Sequence, residues 1–129
     1  MTTYLDSSAI VKLAVREPES DALRRYLRRR SSLISSALAR TEVLRALLPS
    51  GEQALAAGRR VLSQIDLVRV NDQVLGRAGT LSPMELRSLD AIHLTTAERI
   101  ATDLREIISY DERLTAAARQ RGYKVASPR

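Results

Sequence analysis

Four acids stand out by residue type and setting: Asp6, Glu42, Asp90 and Asp111. They are scattered along the chain, so only a fold can bring them together. A set of this kind serves phosphodiester hydrolysis, which needs a nucleophilic water, neutralised phosphate charge and a stabilised leaving oxygen. A hard cation such as Mg²⁺ meets all three needs; it prefers oxygen ligands and is usually held by only a few carboxylates. Two carboxylates ~4 Å apart repel by ~4 kcal/mol at an effective dielectric near 20. Three or four in one cleft therefore require a cation or raised pKa values.

Taken singly, each acid has an ordinary explanation. Asp6 closes the apolar run Thr3-Tyr4-Leu5 and precedes Ser7 and Ser8, the setting of a helix N-cap. Asp111 follows Ile107-Ile108-Ser109-Tyr110 and can cap the next helix, with the Ser109 hydroxyl helping to hold an acid at a cleft rim. Asp90 lies between Leu89 and Ala91-Ile92, where a bare carboxylate is costly unless paired or metal-bound. Glu42 precedes Arg45 by three residues. That spacing reads as a surface ion pair, or as Arg45 orienting Glu42 within a site. His93, one helical turn after Asp90, is the only histidine. A partly buried helix histidine is the favoured reading over a general base or a supporting partner of the acids.

Other chemistries are excluded. Without cysteine there is no thiolate nucleophile, thiolate metal site or disulfide. One histidine cannot supply a histidine-pair ribonuclease mechanism. The five glycines are isolated, so no phosphate-cradling loop is present. Asp6-Ser7-Ser8 lacks the second acid of an aspartate-phosphatase motif.

The elements that must position these acids alternate between strand and helix. Apolar runs at residues 3–5, 32–35, 66–70 and 106–109 predict strands, with a possible short fifth at 124–126. Helical spacing predicts helices over residues 7–15, 19–30, 37–48, 52–64, 72–81, 86–100 and 111–121, with Gly122 as a natural C-cap. Such alternation implies a single α/β domain over residues 1–129, with a parallel sheet of four or five strands between helical layers. Ligands of such sheets bind beyond the carboxyl ends of the strands, where Asp6 and Asp111 fall. The Arg28-Arg29-Arg30 run reads as a solvated helix end rather than an RNA clamp.

Hydrophobic residues make up 44% of the 129 residues, enough for a packed core, and aromatics only 3%. The protein therefore lacks a stacking platform for unpaired bases, and phosphate contacts should dominate any nucleic-acid binding. The net charge of +6 comes almost wholly from arginine, since Lys12 and Lys124 are the only lysines. Arginine suits phosphate, although a genome-wide arginine bias would leave the same mark. No basic segment precedes the early acid, and no apolar run is long enough to span a bilayer. These features predict a soluble cytoplasmic protein without membrane association.

At four stretches the chain resembles the PIN-domain nucleases, and among them the VapC-type toxins of bacterial toxin–antitoxin pairs. The stretches are Tyr4-Leu5-Asp6-Ser7-Ser8-Ala9-Ile10-Val11-Lys12-Leu13, Thr41-Glu42-Val43-Leu44-Arg45, Leu89-Asp90-Ala91-Ile92-His93-Leu94-Thr95-Thr96-Ala97 and Ser109-Tyr110-Asp111-Glu112-Arg113-Leu114. They follow the family's order and cover essentially the whole chain. The resemblance implies a PIN-like α/β/α sandwich and an endoribonuclease dependent on Mg²⁺, with Mn²⁺ able to substitute. It implies Asp6, Glu42, Asp90 and Asp111 as catalytic residues, with Asp6, Asp90 and Asp111 on the metal. Ser109, where the family usually has Thr, and Arg45 would support them. It further implies an RNA substrate, a cognate VapB-type antitoxin and a homodimer. Two other readings stay open at this level: a PIN-like nuclease acting on DNA, and a non-catalytic module that binds RNA or protein.

Overall fold

The structure, a computed structural model, describes Met1 through Arg129. Its first strand, β1 (Thr2–Leu5), is buried along its whole length, as a strand covered on both faces must be. It is followed by α1 (Ser7–Ala14), α2 (Ser20–Leu27), β2 (Leu33–Ser36), α3 (Ala39–Leu47), a 3₁₀ turn (Leu48–Ser50) and α4 (Glu52–Ser63). Then come β3 (Asp66–Val68), α5 (Asp72–Ala78), α6 (Ser88–Arg99), β4 (Leu104–Ile108), α7 (Glu112–Gln120) and β5 (Val125–Ala126). All expected elements are present, with ends shifted by a few residues, and the fifth strand exists.

The five strands pair in the order β3-β2-β1-β4-β5, all parallel. The chain winds outward from β1 to β3 in one direction, then returns to β4 and β5 in the other. Right-handed crossovers taken in opposite directions place their helices on opposite faces. Accordingly, Leu5 and Ile108 join a core with Ile10, Leu23, Val43, Leu47 and Leu62 of the first four helices. Tyr4 and Ile107, one residue away on their strands, face Leu94, Ala97, Leu114 and Ala117 of α6 and α7. Period-two alternation within β1 and β4 thus serves two cores. The strand order reverses between β1 and β4, and the crevice beyond their carboxyl ends is the expected ligand site.

Two glycines carry local requirements. Gly122 adopts φ +87 just after α7, the left-handed C-cap that its position predicts. Gly58 lets α4 press onto α3: a Cβ there would lie 2.6 Å from Leu47 Cδ1.

The arginine run corrects an expectation. The second helix ends at Leu27, and Arg28 and Arg29 are exposed. Arg30 instead turns inward, its Nε donating to Glu106 Oε2 at 2.8 Å. Glu106, on β4 with no exposed side chain, also accepts from Thr3 Oγ1 at 3.1 Å and from the Tyr26 hydroxyl. Burial opposes its ionisation, but the bonds from Arg30, Tyr26 and Thr3 outweigh that and hold its carboxyl below the usual range. A buried carboxylate demands such partners, and β1, α2 and the turn after α2 bring them to β4.

Candidate active site

Asp6 sits where β1 gives way to α1 and caps that helix, Oδ1 accepting from the Ala9 N–H at 3.1 Å. The same oxygen accepts the Ser8 hydroxyl at 2.6 Å, and Oδ2 accepts the Ser109 hydroxyl at 2.5 Å. The carboxyl is only 4% exposed. Burial raises its pKa, partly offset by His93 and by the serine and backbone donors. The capping explanation and the site explanation are therefore both true of Asp6.

Ser109 joins the two strand ends. It donates to Asp6, and its Oγ accepts from the Asp111 N–H at 3.0 Å. Asp111 caps α7, Oδ1 accepting from the N–H groups of Arg113 at 2.9 Å and Leu114 at 3.1 Å. Its Oδ2 takes no donor from the protein.

Asp90 occupies the first turn of α6, where the helix dipole favours an acid. It is half-buried, and no hydrogen bond or ion pair from a protein side chain reaches its carboxylate. Burial pushes its carboxyl up, the negative charges of Asp111 and Asp6 push it further, and His93 and Arg87 pull the other way. The fold thus sets Asp90 within the field of Asp6 and Asp111, residues from two other parts of the chain.

Glu42 lies in the first turn of α3, and its Oε1 accepts the Ser7 hydroxyl at 2.6 Å. His93 Nε2 lies 2.6 Å from the same oxygen. Burial disfavours the charged form, but these two donors outweigh it and the carboxyl stays below the usual range. The expected Glu42–Arg45 pairing does not form. Glu42 is drawn across to α1 and α6, whereas Arg45 is exposed and lines a groove of about 420 Å³ with Arg40 and Arg59.

His93 is the residue that sequence reasoning undervalued. It is 3% exposed and joins Glu42 to Tyr4, whose hydroxyl lies 2.7 Å from Nδ1. Its signal in the sequence was its place one turn after Asp90, which an ordinary core histidine shares. Ser7 and Ser8 carried no signal beyond their position after Asp6.

The donor set consists of carboxylate oxygens, which suits a hard divalent ion. No three acid, histidine or cysteine side chains are drawn together tightly enough to cage one. A hydrated Mg²⁺-like ion, held through one or two carboxylates with water completing its shell, fits this arrangement. An unpartnered, half-buried Asp90, raised by burial and then by the charge of Asp111, is the observation that makes the fit. A cavity of about 550 Å³ beside α5 and α6 is lined by Leu75, Leu81, Met84 and Leu86 and by none of these acids.

The PIN domain family model matches residues 3–120. The chain is 62% identical over 125 residues to ribonuclease VapC46 of Mycobacterium tuberculosis, covering 97% of this chain and 96% of that one. With ribonuclease VapC47 of the same organism it shares 37% identity over 130 residues, with the same coverage. The fold matches the crystal structure of M. tuberculosis VapC20, described as a sarcin–ricin-loop-cleaving toxin, with a TM-score of 0.77 at 16% identity. That match covers 98% of this chain and 99% of the other. A toxin–antitoxin complex from Klebsiella pneumoniae gives a TM-score of 0.71 at 18% identity, covering 98% of each chain. The strand-end acids, the winding of the sheet and these relatives together place the chain in the PIN-domain family, among its VapC ribonucleases.

Proposed function

We propose that this protein is a divalent-metal-dependent endoribonuclease, the toxin of a VapBC-type toxin–antitoxin pair. The supporting observation is the half-buried Asp90 carboxylate, which no protein donor meets and which burial, then the charge of Asp111, pushes up. Family membership and 62% identity to a ribonuclease point to the same activity.

Asp6, Asp90 and Asp111 would hold the metal, Mg²⁺ with Mn²⁺ as a substitute, one or two of them directly and the rest through its water shell. When bound, such an ion neutralises phosphate charge and lowers the pKa of a bound water. Asp6 is held in one orientation by Ser8, Ser109 and the Ala9 N–H, so its lone pairs are aimed before substrate arrives. Asp111 Oδ1 is committed to capping α7, which leaves Oδ2 for the cleft. Glu42 holds Oε1 on Ser7 and His93, and Oε2 takes the proton of the attacking water. The products carry a 5′-phosphate and a 3′-hydroxyl.

The same reading includes a cognate VapB-type antitoxin, a homodimeric assembly and action in the cytoplasm. No helix is long and apolar enough to cross a membrane.

The test incubates the purified protein with matched RNA and DNA oligonucleotides in Mg²⁺. RNA cleavage is expected to stop in excess EDTA and to fall to background in Asp6→Asn and Asp90→Asn. Cleavage that persists in EDTA, or in both variants, overturns the mechanism. Preferential cutting of DNA overturns the substrate class.

A further inference from the structure

His93 is the only histidine of the chain and is almost fully buried, yet both of its ring nitrogens meet side chains rather than backbone. Nδ1 lies 2.7 Å from the Tyr4 hydroxyl and Nε2 lies 2.6 Å from Glu42 Oε1. Ser7 Oγ closes the group, 3.3 Å from Nε2 and 2.6 Å from the same carboxylate oxygen. The Tyr4 ring meets the imidazole edge-on, with centroids 5.9 Å apart and planes at 79°. These four side chains come from β1, α1, α3 and α6.

The chemistry of the partners favours one arrangement of protons along this chain of bonds. Tyr4 is 1% exposed, and burial keeps its phenol protonated. The Glu42 carboxylate, ionised and able only to accept, requires a proton on Nε2, and the Tyr4 hydroxyl can donate to the Nδ1 that is left. A neutral imidazole that accepts at Nδ1 carries its own proton at Nε2, the nitrogen that faces a carboxylate. Glu42 Oε1 is then saturated by two donors, while Oε2 has none from the protein.

We infer that His93 is a positioning residue for the nuclease reaction: Glu42 and Tyr4 together set its tautomer, and its Nε2–H fixes Glu42 so that Oε2 alone faces the reacting water. The inference rests on the nuclease reading for its catalytic consequence, but not for the tautomer. A merely space-filling histidine has no need of one particular tautomer, nor of a donor at one particular ring position.

With a single histidine, ¹⁵N labelling yields one pair of imidazole nitrogen signals. In the metal-free wild type near neutral pH, a long-range ¹H–¹⁵N spectrum is expected to show the Nε2–H tautomer, and Glu42→Ala, which removes the acceptor at Nε2, is expected to mix the two tautomers. A dominant Nδ1–H form in the wild type overturns the inference without any variant having to fold. For catalysis, His93→Gln extends an amide N–H toward the position of Nε2, whereas His93→Asn ends near Nδ1. His93→Gln is expected to keep RNA cleavage within a few-fold of wild type. His93→Asn is expected to lose roughly 10–100-fold, the usual effect of removing a group that orients a catalytic ligand, at comparable melting temperature. Equal activities for the two variants overturn the positioning role. A wild type that cleaves no RNA overturns the nuclease reading instead, and the spectrum still decides the tautomer.

Discussion

Ser109 shows how much a single hydroxyl can carry. It supplies the only donor on Asp6 Oδ2 and receives the Asp111 N–H, so two of the acids take their positions from it. Ser109→Ala leaves a buried carboxylate oxygen unpaired, which costs about 1–3 kcal/mol. A urea titration should show that loss, whereas Ser109→Thr, which keeps the hydroxyl, should hold both stability and cleavage. Asp90 works in the opposite sense. Its folded carboxyl lies above the unfolded value of about 3.9, so in the metal-free protein the ionised group opposes folding at neutral pH. That penalty disappears as pH falls below the unfolded value. Asp90→Asn is therefore expected to raise the metal-free Tm by a few degrees while abolishing the Tm rise that Mg²⁺ gives the wild type. A variant that melts below wild type without metal would contradict the electrostatic account of Asp90.

Between elements, the buried Glu106 does for the fold what the site acids do for chemistry. It ties α2 to the central strands through Arg30, Tyr26 and Thr3. Removing one partner of such a buried pair costs roughly 3–5 kcal/mol, so Glu106→Ala should be strongly destabilising. Its folded pKa lies below the unfolded value of about 4.3. The stabilisation is thus fully present above that value and is lost as pH falls through the folded pKa. Urea midpoints of wild type and Glu106→Gln should differ at pH 7 and converge in acid; a gap that stays constant with pH would exclude the ionised pair as its source. The same network explains why the Arg28–Arg30 run resisted reading as sequence. Arg30 is separated from Glu106 by most of the chain, and its inward turn depends on where β4 lies.

For the whole molecule, what matters is the reversal of strand order between β1 and β4, which brings Asp6 and Asp111 to one crevice. The net charge of +6 is carried almost wholly by arginine, and Arg40, Arg45 and Arg59 line a groove beside α3. RNA binding through phosphate contacts releases counterions, so log affinity should fall linearly with log salt. Filter binding of a non-cleaved RNA to Asp90→Asn across a salt series checks this, and a flat dependence would remove phosphate contacts as the main source of affinity. The cavity beside α5 and α6 is apolar and takes no part in this prediction.

The sequence by itself determined the alternation of strand and helix, because apolar periodicity and capping residues are local properties. It also determined which acids stood at strand ends and helix starts, and the four together were legible as a PIN-like set. What it left undecided was direction in space. Glu42 has Arg45 as its local partner, yet packing turns it to Ser7 and His93, since α1, α3 and α6 meet there. His93 looked like a core histidine because its partners, Tyr4 and Glu42, lie far from it in sequence. Of the opening acids, Asp6 and Asp111 were fixed to their strand ends by local capping, whereas the electrostatic link of both to Asp90 exists only in the tertiary structure. Like charges are brought close only when a packed core holds their elements together, and no local spacing reports that.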